Sequence, residues 1–154
     1  MINTDSRIDH QLQRMAARKE KVFDILQHLT PGLHHRILHP GQWSLLQIAN
    51  HLYLSEKFSL AYLRKKMSYP DTIPRYKVSS WKGYYMAWVI LNSPYKVKAP
   101  PMIDMDKQSE VLDPDTLNQN WNELRREMAD YITDTYPQFG HHLVFNHPFA
   151  GRMT

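Results

Sequence analysis

Cysteine is absent from this chain, so disulfide frameworks, zinc–thiolate sites and thiol nucleophiles are excluded at the outset. Glycine is scarce, with five residues in 154, and none lies in a phosphate-cradling loop or a nucleophile elbow. No apolar run approaches the roughly 18–20 residues that span a bilayer. The opening "MINTDSRIDHQ" lacks the apolar centre of a secretory signal, which points to a cytoplasmic protein with no membrane partner. Charge of one sign is also modest. Nineteen Lys and Arg stand against 15 Asp and Glu, for a formal charge of +4. The densest basic group, Arg64-Lys65-Lys66, falls at the expected C-terminal end of a helix, where cations complement the helix dipole. That account competes with a nucleic-acid patch and is preferred to it.

What is present is helical periodicity over a length that suits one domain, residues 1–154. Ile8, Leu12, Met15, Val22, Leu26 and Leu29 recur in steps that place them on one face of a helix over residues 6–29, with Lys19 the one polar interruption. Thr30-Pro31-Gly32 should stop it, glycine allowing a left-handed turn, and "GLHHRILHPGQ" reads as a loop. A second helix over residues 44–67 opens on Ser44, with Gln47 three residues later in the form of a capping box. Leu45, Ile48, Leu52, Leu60 and Leu63 are its apolar stripe. Trp81, Tyr84, Tyr85, Trp88 and Leu91 have helical spacing in a shorter third segment. "SPYKVKAPP" cannot continue it, and the connection over residues 93–112 is long enough for a crossover between bundle helices. Asp113-Pro114 then supplies an N-cap and a proline at the first helical position. Leu117, Trp121, Leu124, Met128, Tyr131 and Thr135 carry the stripe to a stop at Tyr136-Pro137. A brief extended piece, "HLVF", and a turn close the chain. The fold class is all-α, with antiparallel packing expected among the helices at 6–29, 44–67 and 113–136.

Four stretches in this order resemble the DinB/YfiT-like superfamily of metal-dependent enzymes. They are "GQWSLLQIANHLYLSEKFSLAYLRKKM", "SPYKVKAP", "WNELRREMADYI" and "FNHPFAGRM". The resemblance implies an up-and-down four-helix bundle with long crossover loops. It also implies a site in which His51 joins two histidines, spaced i and i+4 on the last helix, around a divalent metal such as zinc, nickel or iron. Three neutral imidazoles leave a coordination position open for water or substrate. The activities implied are thiol transfer or amide hydrolysis on a small molecule that the sequence does not name. This sequence ends at Gly151-Arg152-Met153-Thr154, where the family's turn would launch the last helix, so the bundle is expected to lack that helix and its histidine pair. The metal is accordingly expected to be absent and catalytic competence doubtful, the alternative being an interaction module that has lost the metal site. The open face of a bundle short of one helix is expected to be covered by residues beyond Thr154 or, if the chain ends there, by a second copy in a homodimer.

His51 is therefore the one metal candidate, weighed against a partly buried histidine hydrogen-bonded to a neighbour. Glu56 lies about 140° further round the helix, so a structural salt bridge or hydrogen bond suits it better than joint ligation. His141, His142 and His147 could rebuild a site only in part, since adjacent residues of an extended segment point to opposite sides. His34, His35 and His39 belong to the loop and should be solvated. Trp43 precedes the helix cap, and Trp81, Trp88 and Trp121 lie on apolar stripes, which favours packing over base stacking. No catalytic residue is named by these patterns.

Overall fold

The computed structural model describes residues 4–73, 85, 88, 89, 92, 100–108, 110–139, 145–147 and 151–153. The fold is helical, as the periodicity requires. Helix α1 covers Thr4–His28, α2 is a single turn at Pro31–His34, α3 covers Leu45–Met67 and α4 covers Pro114–Phe139. Two three-residue strands, β1 at Phe145–His147 and β2 at Gly151–Met153, pair antiparallel, Asn146 facing Arg152. Among the described residues no helix is long and apolar enough to cross a membrane.

The chain forms two compact units. The first comprises Met1–Lys57 and Ala99–Thr133, the second Phe58–Lys98 and Asp134–Thr154. In the first, Phe23 of α1 and Tyr53 of α3 both meet the Trp121 ring of α4 edge-on, with centroids 5.9 and 6.4 Å away. Leu26, Leu46, Ala49 and Leu117 are fully buried there. Lys19, the interruption in the α1 stripe, is only 3% exposed. Its ammonium donates to Asn118 Oδ1 at 2.8 Å and to Asn122 Oδ1, pairs with Glu20 and lies over the Phe23 ring. A buried cation needs such acceptors on several sides. In the second unit Leu60 and Ile73 are buried, and Lys66 Nζ donates to Thr72 Oγ1 at 2.8 Å across a 3-10 turn at Pro70–Thr72.

Five expectations are corrected. The loop after α1 contains α2, with Pro31 in the first turn, where its missing N–H costs nothing. The left-handed residue of this region is Gly41, at φ 74°, and Gly32 is helical. The buried stripe in the first half of α3 is Leu46, Ala49, Asn50 and Tyr53, one residue round from the expected one, leaving Ile48 and Leu52 at 43% and 40% exposure. Helix α4 runs past Pro137 to Phe139, with the proline in its last turn. Finally, α3 and α4 are not antiparallel. Asn50 bonds Leu112, Tyr53 meets Trp121 and Glu56 bonds Arg125, so their partners advance in the same direction. The crossover explains this, because residues 103–112 return to the start of α3 and α4 sets out from the same end.

The segment expected to be helical at residues 81–91 lies outside the described residues except for Tyr85, Trp88 and Val89, which are helical. Trp88 is exposed there and stacks on Tyr85, so it is not the core residue its spacing suggests. Of "HLVF" only Phe145 is described, and it begins β1.

Candidate functional site

The N-terminal end of α3 is prepared by its own sequence. After the Gly41 turn, Ser44 N–H donates to Gln47 Oε1 at 2.8 Å, and Gln47 N–H donates to Ser44 Oγ at 3.2 Å. This is the reciprocal capping box expected from "SLLQ". It fixes where the helix begins, and so where residues 50 and 51, two turns further on, point.

Asn50 points inward and is 2% exposed. Its Nδ2 donates to the carbonyls of Leu46 and Leu112, both at 3.0 Å, and its Oδ1 accepts from Leu112 N–H at 2.9 Å. One side-chain amide thereby satisfies both backbone groups of Leu112 and ties the crossover to α3. The rest of the crossover is shaped locally. Ile103 N–H donates to Pro100 O, Lys107 N–H donates to Asp104 O, and the buried Asp104 accepts from Asp106 N–H at 3.2 Å. Such a carboxylate-to-backbone turn stands in for a regular turn.

That loop meets His51. The half-buried His51 has its Nδ1 2.7 Å from Ile103 O. A carbonyl only accepts, so Nδ1 carries the proton. In the neutral ring Nε2 is therefore the atom with the free lone pair. The Trp43 ring flanks the imidazole with centroids 4.9 Å apart, and its Nε1 donates to Asp106 Oδ1 at 3.0 Å. Residues 43, 51, 103 and 106 thus form one unit: the loop holds the indole, and the loop and indole together hold the ring. An imidazole whose Nδ1–H is anchored on a carbonyl is oriented as a metal ligand or proton acceptor through Nε2.

Glu56 takes no part in this. Its Oε2 accepts from Trp121 Nε1 at 2.7 Å and from Arg125 Nε, and its Oε1 accepts from Arg125 Nη2, which makes a bidentate ion pair under partial burial. The salt bridge anticipated for it is therefore found, to a residue of the "WNELRREM" stretch. His34 departs from expectation. It is half-buried, with Nε2 2.8 Å from Leu26 O, whereas His35 and His39 are exposed. His141 and His142 lie outside the described residues, and His147 is described only as backbone of β1. Among the described residues no three His, Asp or Glu side chains group as a metal site would require. Asn50, Ile103, Asp106 and Arg125 were not singled out from sequence. The signal for Asn50 was its place beside His51, and for Arg125 its place one turn after Trp121. A backbone carbonyl such as that of Ile103 has no sequence signal.

The ordered set of motifs agrees with a comparison against family profiles, where the DinB superfamily profile matches residues 11–154. The chain belongs to the DinB superfamily. Neither a comparison with curated proteins nor one with solved structures produced a match. In this DinB superfamily chain the capping box of Ser44 and Gln47 and the contact of the Trp43 indole with the His51 imidazole both lie within the stretch "GQWSLLQIANH".

Proposed function

We propose that this protein carries the scaffold of a metal-dependent transferase or hydrolase acting on a small molecule in the cytoplasm, built as a four-helix bundle. His51 is the residue that scaffold would turn toward a divalent ion. The observation that supports this reading is the His51 Nδ1–H anchored on Ile103 O, which leaves Nε2 as the donor atom. A bound zinc, nickel or iron would supply Lewis acidity, lowering the pKa of a water or polarising a substrate. The described donors do not fit such an ion by themselves. One imidazole does not hold a divalent cation against water as three do, and among the described residues no second and third donor join it. Catalytic competence would thus depend on donors beyond those described.

Elemental analysis of the purified chain tests this. The expected outcome is less than stoichiometric zinc, nickel and iron, unchanged by His51→Ala. One metal per chain, lost in His51→Ala, would show that other donors complete the centre and would restore the full enzyme reading.

A second reading, an interaction module without metal chemistry, is favoured by one observation. Ile48 and Leu52 flank His51 one turn apart on α3 and are 43% and 40% exposed. In that reading the partner is a second copy of the chain.

A further inference from the structure

The exposed face of α1 carries a feature that the metal scaffold does not use. Arg14, Arg18 and Lys21 are all exposed. At 100° per residue they fall within about 60° of arc and along about 10 Å of helix. Lys19, by contrast, is on the buried side, about 140° from Arg14. Of the acidic residues of this stretch, Glu20 pairs with Lys19, and the Asp24 carboxylate lies 3.4 Å from the His28 ring. Among the described residues no carboxylate pairs with Arg14, Arg18 or Lys21. Three adjacent cations on a rigid helix repel one another, and ordinary surfaces relieve this with i,i+4 acids.

We propose that this face of α1 docks on the phosphate backbone of duplex nucleic acid. Guanidinium groups take phosphate oxygens in bidentate fashion, and a helix presents them on a backbone that is already ordered. Duplex DNA offers about one negative charge per 1.7 Å of axis, so a stripe of this length meets several phosphates. A lipid surface fits less well. The large apolar side chain on this arc is Ile25, at 52% exposure, whereas a helix lying in a membrane interface inserts a broad apolar face. The basic group weighed as a nucleic-acid patch in the sequence, Arg64-Lys65-Lys66, is a different place. Contacts through α1 would be independent of base sequence, because phosphates carry none.

Fluorescence anisotropy with a labelled DNA duplex of arbitrary sequence, over a salt series, tests the proposal. Three phosphate contacts predict a slope of log K against log salt near −2.7, or roughly 40-fold weaker binding between about 50 and about 200 mM salt. The triple variant Arg14→Gln, Arg18→Gln, Lys21→Gln should lose this binding while keeping the helical circular dichroism of the wild type. Lys65→Gln with Lys66→Gln should leave it unchanged. The proposal is overturned if the wild type does not bind duplex at low salt, or if the triple variant binds with an unchanged slope. It is equally overturned if the Lys65/Lys66 variant is the one that loses binding, or if the protein binds phosphatidylserine vesicles and not the duplex.

Discussion

Asn50 and Glu56 are polar residues that three or more bonds hold at the interface of α3, α4 and the crossover. Replacing Asn50 with Ala would leave the backbone groups of Leu112 without partners in a water-poor place, at a cost of about 2 kcal/mol. Urea unfolding should show a lower midpoint with little change in slope. Glu56→Ala should cost more, about 3 kcal/mol, because it strands both the Arg125 guanidinium and the Trp121 N–H. Glu56→Gln keeps an acceptor for Trp121 and should fall between. If Glu56→Ala proved no worse than a surface substitution, the bidentate pair would be contributing nothing. Asn50 and Glu56 also show why the stripe of α3 was misplaced by one residue. A reading that counts large aliphatic residues passes over a small alanine, and over an amide and a carboxylate that hydrogen bonds hold inward.

At the scale of elements, both long helices of the crossover region begin on side-chain caps. Ser44→Ala should cost about 1 kcal/mol and fray the start of α3, which would show as faster amide exchange near Gln47. At α4, Asp113 Oδ1 accepts from the N–H groups of Asp115 and Thr116, both at 3.1 Å. The Thr116 hydroxyl, followed by its backbone N–H, holds the Asp113 pKa below the ordinary value of 3.8. A depressed carboxyl pKa stabilises the folded state above the unfolded value, and that contribution disappears as pH falls through the folded value. Asp113→Ala should therefore lower Tm at neutral pH, and the gap to wild type should close in strong acid. A gap that stayed constant down to the lowest pH would mean that the charged cap is not its source. Caps of this kind are local in sequence, which is why "SLLQ" and "DP" could be read without a structure.

For the whole molecule, the open question is what meets the exposed Ile48 and Leu52 beside His51. If a second copy covers them, sedimentation at micromolar concentration should give a dimer, and Ile48→Glu with Leu52→Glu should give a monomer. A wild-type monomer under those conditions would remove the dimer from the second functional reading. This experiment is independent of the salt series for α1, because the two faces share no residue.

Sequence alone determined what depends on neighbours along the chain. Helix periodicity located α1, α3 and α4 almost to their ends, the caps placed two of their starts, and an ordered set of motifs placed the chain in its superfamily. The stripe of α4 was also legible, because Leu117, Trp121, Leu124 and Met128 are large and apolar and all four are buried. Only the tertiary structure decided the direction of α4 relative to α3, the burial of Lys19 and the state of His51. Each of these rests on contacts between residues about 50 to 100 positions apart. The imidazole shows the reason most clearly. Its tautomer is chosen by a backbone carbonyl of Ile103, a group every residue possesses, and only the path of the chain in space brings that carbonyl to the ring.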